Sequence, residues 1–75
     1  LREEDLAVMT PQQIQALIQA GLPERGIDID RQGPKNGYTA LHDAIWENNI
    51  DTARVIVEAG ANLTLRSHAG ETPLD

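Results

Sequence analysis

Two histidines, His42 and His68, and three aspartates, Asp28, Asp30 and Asp43, are the side chains of this 75-residue sequence best suited to chemistry. One imidazole can act as the base of a hydrolase, and two with a carboxylate can hold a metal. Asp28-x-Asp30 lacks the remaining ligands and the spacing of an EF-hand loop, and no pocket-forming segment surrounds it as a glycosidase pair would require. Ser67 precedes His68, but adjacency along a chain is not the geometry of a catalytic triad. Gly33-Pro34-Lys35-Asn36-Gly37 contains glycine and lysine without the spacing of a phosphate loop. Pro34 also removes an N–H donor that a phosphate would need, so this stretch reads as a turn. With no cysteine, the chain has no disulfide, thiolate metal site or cysteine nucleophile. No catalytic constellation or metal-ligand set stands out, and the expectation is a chain that is not an enzyme and holds no metal.

Composition narrows the class further. A compact chain of this length buries only roughly 60% of its unfolded surface, so its stability is marginal. One Tyr, one Trp and no Phe leave a core of Ala, Leu, Ile and Val, which suits short, closely packed helices. The net charge is −6, and the basic residues Arg2, Arg25, Arg31, Lys35, Arg54 and Arg66 stand singly. Phosphate binding depends on clustered Lys and Arg, so nucleic acid is not the expected partner. No run approaches a membrane span of about 18 apolar residues, and no signal-peptide pattern opens the chain. Leu1 is not Met, which leaves room for a removed targeting segment. The cytoplasm is the default location, from the lack of cysteine and of an export signal.

The elements follow from local signals. Residues 2–8 read as a short helix with acidic residues at its start, where the helix dipole favours them. Thr10-Pro11-Gln12-Gln13 is a helix start: Thr10 caps, Pro11 fits the first turn and Gln13 takes the capping-box position. Ile14, Leu17 and Ile18 form an i, i+3, i+4 face, and Gly21 ends the helix. Residues 21–38 contain Pro23, Gly26, Gly33, Pro34 and Gly37, which rule out a continuous helix. Thr39 caps a helix over about residues 40–48, Asn48-Asn49 turns the chain, and a second helix runs from Ile50 to Ala59. On it Ala53, Ile56 and Val57 are expected to face inward, with Val55 against a neighbouring unit. Asp51–Arg54 and Arg54–Glu58 are expected to pair on the wet face.

Gly37, Thr39 and Leu41 return as Gly70, Thr72 and Leu74, at an offset of 33 each time. A fixed period of this size marks a solenoid whose units need neighbours to bury their apolar faces. Gly37, Thr39, Leu41, His42, Ala44, Ile50, Val55-Ile56-Val57 and Glu58-Ala59-Gly60-Ala61 together resemble the ankyrin repeat. Ala40 stands where the family has Pro, Ile45 replaces its second Ala, Asn48-Asn49 replaces Gly-His and Asn62 replaces Asp. Pro73 restores the Thr-Pro-Leu of the next copy. The resemblance implies an all-α solenoid of helix-turn-helix pairs joined by β-hairpin-like fingers. Its expected division is an atypical N-terminal repeat over 1–35, a full repeat over 36–68 and the start of a third over 69–75, all within one domain that reads as a fragment of a longer protein. Leu17 to Gly21 matches Ile56 to Gly60, and Gly26 to Asp30 matches the family's Gly-Ala-Asp-Val-Asn. Leu22 to Arg25 then form an extra excursion, with Ile27 and Ile29 packing inward. Asp75 takes the position of His42 in the third repeat.

The resemblance also sorts the candidate residues. His42 becomes structural, bonding to the Thr39 side chain and the neighbouring finger backbone. His68 becomes an exposed finger residue. Trp46 lies about 100° round the helix from Ile45, on the concave-side position that varies within the family, unless it braces a neighbouring helix. Tyr38 falls at the base of the finger. Lys35, Asn36, Asp43, Glu47 and Arg66 share this register, with His68 and Glu71 on the next finger. Exposed aromatics are favoured hot spots of protein interfaces. The expected function is a non-catalytic interaction module that binds another protein or peptide, with no small-molecule substrate; the resemblance implies no cofactor. The alternative is a structural or regulatory segment that docks on another domain of a larger protein, possibly an enzyme.

Overall fold

The computed structural model describes residues 2–74, without the side chain of Glu3. Four α-helices are α1 (Glu3–Ala7), α2 (Pro11–Ala20), α3 (Ala40–Trp46) and α4 (Ile50–Glu58). The Asp5 carboxylate accepts from the Arg2 amide at 3.0 Å and caps α1. Thr10 Oγ1 accepts from the Gln13 amide at 3.1 Å, while Gln13 Oε1 accepts from the Thr10 amide at 3.0 Å. Two of the helix's orphan N–H groups are thereby satisfied reciprocally, with Pro11 at the first position, where no N–H is needed.

The helices form two consecutive pairs, α1–α2 and α3–α4, that stack with α1 on α3 and α2 on α4. Their shared core is Leu6, Ala7, Ile14, Ala40, Leu41, Ala44, Ala53, Val55 and Ile56. Small residues at Ala7, Ala40, Ala44 and Ala53 let short helices approach closely, and dispersion over these contacts offsets the thin core. Ile27 and Ile29 pack against this core from the first connection. The Leu22–Arg25 excursion folds as one 3-10 turn over Pro23–Arg25, closed by the Ile27 amide on the Leu22 carbonyl at 2.9 Å.

Three expectations are corrected. Val57 does not face inward: it is 37% exposed, and Thr52 is fully buried instead. The buried stripe of α4 runs Thr52, Ala53, Val55, Ile56, and Val57 lies 100° beyond it. The Thr52 hydroxyl resolves its own burial by donating to the Met9 carbonyl. α3 ends at Trp46 rather than residue 48, because Asn48 takes a left-handed φ of 59° and turns the chain. Asp51–Arg54 and Arg54–Glu58 do not pair; among the described residues the ion pair is Arg2–Glu4 at 3.5 Å. On a solvated face the side-chain entropy lost in pairing matches the weak Coulomb gain.

The connections after each helix pair are fingers without regular strands among the described residues. In the first, the Gly33 amide donates to the Tyr38 carbonyl at 2.9 Å, and the Gly37 amide donates to the Gly33 carbonyl at 3.0 Å. The second is closed by the Ser67 amide on the Glu71 carbonyl at 2.8 Å. The fingers are stitched side by side: the His68 amide reaches the Asn36 carbonyl at 2.8 Å, and the Gln32 side-chain amide reaches the carbonyls of Gly37 and Arg66 at 2.9 and 2.7 Å. Of the expected third unit, Thr72 is half-buried, Pro73 is buried and Leu74 is exposed; Asp75 lies outside the described residues.

Candidate functional site: a groove between finger and helices

His42 sits in the first turn of α3, 6% exposed. Its Nε2 lies 2.9 Å from the Glu71 carbonyl, which can only accept, so Nε2 carries the proton. Nδ1 is then the acceptor, facing the Thr39 amide at 3.1 Å and the Thr39 hydroxyl at 2.8 Å. Both ring nitrogens are committed, which leaves no basic nitrogen for a substrate. This arrangement ties α3 to the second finger.

The other candidates for chemistry are similarly engaged. Asp28 Oδ1 accepts from the Asp30 amide at 2.9 Å, and Asp30 Oδ1 accepts from the Asn62 amide at 2.8 Å, linking one finger to the next. Ser67 is buried, and its hydroxyl oxygen accepts from the amides of Ala69 and Glu71, both at 3.2 Å. It is a turn residue. His68 is exposed, with its ring against Gly37. Among the described residues no three His, Asp or Glu side chains gather at one point, and no helix is long and apolar enough to cross a membrane.

A concavity of about 610 Å3 is a groove between the first finger and the outward faces of α1 and α3. Six of the nine residues singled out from the sequence line it: Lys35 and Asn36 on the finger, Tyr38 at its base, and Asp43, Trp46 and Glu47 on the helix wall. Trp46 is 77% exposed, so it does not brace a neighbouring helix of the described chain. Tyr38 is half-buried; its ring stacks on His42 with centroids 5.1 Å apart, and its hydroxyl donates to Glu71 Oε1 at 3.1 Å. That hydrogen bond, then burial and the charges of Glu71 and Asp43, hold the phenol above its ordinary pKa.

Arg66, His68 and Glu71 do not line the groove. Arg66 Nη1 donates to the Gly70 carbonyl at 2.7 Å, across its own finger, and Glu71 braces Tyr38. Sequence reasoning missed the α1 wall, Arg2, Glu4, Ala7 and Val8, and on the finger it missed Arg31 and Pro34. α1 has five residues, too few to show a helical period, so its wall left no periodic signal in the sequence. A second hollow of about 520 Å3 lies over Ala16, Leu17 and Ala20 on α2 and contains no carboxylate.

Comparison with known proteins agrees with this architecture. A family model described as ankyrin repeats (3 copies) matches residues 6–67. The chain is 37% identical over 51 residues to "Inhibitor of Bruton tyrosine kinase" of Xenopus laevis, covering 68% of this chain and 4% of that protein. It is 41% identical over 49 residues to "E3 ubiquitin-protein ligase KEG" of Arabidopsis thaliana, covering 65% of this chain and 3% of that protein. Over 41 residues it is 46% identical to "Ankyrin repeat domain-containing protein 29" of Homo sapiens, covering 55% of this chain and 14% of that protein. The chain thus spans a small part of the length of each. Ankyrin repeats are in general non-catalytic protein–protein interaction modules. With two stacked helix pairs, hydrogen-bonded fingers and a family match over most of its length, this chain belongs to the ankyrin-repeat family.

Proposed function

We propose that the chain binds a partner protein through the groove between its first finger and its concave helix face. The carrying observation is Trp46, 77% exposed inside a groove of about 610 Å3. An indole left in water at a concave site is a ready anchor, because its burial by a partner releases much apolar area at small entropic cost. Tyr38, Lys35, Asn36, Asp43 and Glu47 surround it as the proposed contact set, with Arg66, His68 and Glu71 extending it on the second finger. The partner is a protein or peptide rather than nucleic acid, a membrane or a small molecule. A net charge of −6 and singly placed basic residues support this. The proposed setting is the cytoplasm, which cell fractionation tests.

Affinity capture from the native lysate tests the proposal, run beside a folded Tyr38→Ala, Trp46→Ala double variant. A protein held by the native chain and lost by the variant is the expected result. Equal retention by both places the contact elsewhere. A second reading has the chain docking on another domain of a larger protein; it is supported by the relative named as a ubiquitin ligase, of which the matched segment is 3%. There the groove would be occupied in cis, and added partner would not bind the full-length protein.

A further inference from the structure

We infer that the groove accepts an extended peptide segment carrying an arginine next to an acidic residue, with the arginine on the Trp46 ring beside Glu47 and the acid against Arg31 and Lys35. This rests on the groove being the partner surface.

The two walls have opposite sign. Arg31 and Lys35 stand on the finger wall, and Asp43 and Glu47 on the helix wall. Arg2 and Glu4, the remaining charges of the groove, satisfy each other at 3.5 Å. Arg31, Lys35 and Glu47 are exposed and take part in no ion pair among the described residues, so their charge is met by water alone. A partner must replace that water with charge of the right sign at each wall, since an uncompensated charge covered by an interface is costly.

Trp46 decides which cation fits the helix wall. The indole face attracts a cation, and the Glu47 carboxylate lines the same groove. A guanidinium does both jobs: it stacks flat on the ring while its edge forks to a carboxylate. An ammonium meets the charge but does not stack. Along an extended peptide, successive side chains point to opposite sides. The neighbour of an arginine turned to the helix wall therefore faces the finger wall, where Arg31 and Lys35 require an acid. Such a segment is near-neutral, which separates this recognition from the general pull of a chain of net charge −6 on any basic peptide.

The test is fluorescence anisotropy with three labelled peptides. The first alternates Arg and Glu between Ala and Gly flanks; the second has every Arg replaced by Gln; the third has every Glu replaced by Gln. The first should bind best, and each replacement should weaken binding about fivefold, the scale of one exposed cation–π or ion-pair contact. Glu47→Gln should weaken the peptides that contain Arg and leave the second unchanged; Lys35→Gln should weaken those that contain Glu and leave the third unchanged. Tighter or equal binding of the third, most basic peptide overturns the inference. If no peptide binds while a captured partner still depends on Tyr38 and Trp46, the arginine–acid pairing falls and the groove stands. If the partner is also retained by the Tyr38→Ala, Trp46→Ala variant, both fall.

Discussion

The Tyr38 hydroxyl donates to Glu71 Oε1 at 3.1 Å, and the two residues are 33 positions apart, one repeat period. The base of one finger is thus fastened to the equivalent point of the next. The same Glu71 accepts from His42 Nε2 through its backbone carbonyl, so one residue holds both the stacked tyrosine and the buried histidine in place.

A titration follows from that pair. Glu71 and Asp43 raise the Tyr38 phenol above its ordinary value, so the folded state holds the phenolic proton more tightly than the unfolded chain. The associated stability is present in full below the unfolded phenol pKa of about 10 and is lost as pH rises through the raised value. Tyr38 is the only tyrosine, so phenolate absorbance reports it alone among tyrosines. In Glu71→Gln the midpoint should fall toward the ordinary value. An unchanged midpoint would sink the Tyr38–Glu71 link.

Asn49 joins the two helix pairs at the turn end of the stack. Its side-chain amide donates to the carbonyls of Ala7 and Met9, both at 3.0 Å, in a half-buried setting. Asn49→Ala leaves both carbonyls without this donor and should cost about 1–3 kcal/mol in urea unfolding. A loss under about 0.5 kcal/mol would place the cohesion of the pairs in the apolar core alone.

Gly60 and Gly37 both adopt left-handed backbone, at φ 95° and 72°, but for different reasons. Nothing lies within 4 Å of a Cβ added at Gly60, so Gly60→Ala meets only the conformational cost, about 1–2 kcal/mol. At Gly37 an added Cβ would lie 2.5 Å from the His68 ring and 2.9 Å from its backbone nitrogen. Gly37→Ala should therefore lower the melting temperature more than Gly60→Ala does, because the fingers must separate. Equal shifts would mean that the contact between the fingers does not contribute.

Where the structure depends on neighbours in sequence, the sequence revealed it. The Thr10–Gln13 box, the Thr39–His42 start and the Asn48 turn each close within three residues. The 33-residue offset then carried this local reading to the stack, and the helical register brought Tyr38, Asp43, Trp46 and Glu47 to one groove. The cross-links were not visible. Gln32 to Arg66, Asp30 to Asn62 and Asn49 to Met9 join residues 32 to 40 positions apart through polar side chains that follow no apolar period. Thr52 misled for the same reason: a polar residue in the buried stripe is explained only by the Met9 carbonyl opposite it. The α1 wall escaped because a five-residue helix gives no periodicity to read.

The most direct measurement is oxidative footprinting of the chain alone and with the protein it captures. Trp46 and Tyr38 should be modified readily in the free chain, Trp46 most of all at 77% exposure, and protected in the complex together with Lys35. Protection confined to the α2 and α4 faces, with Trp46 still oxidised at its free rate, would contradict binding in the groove.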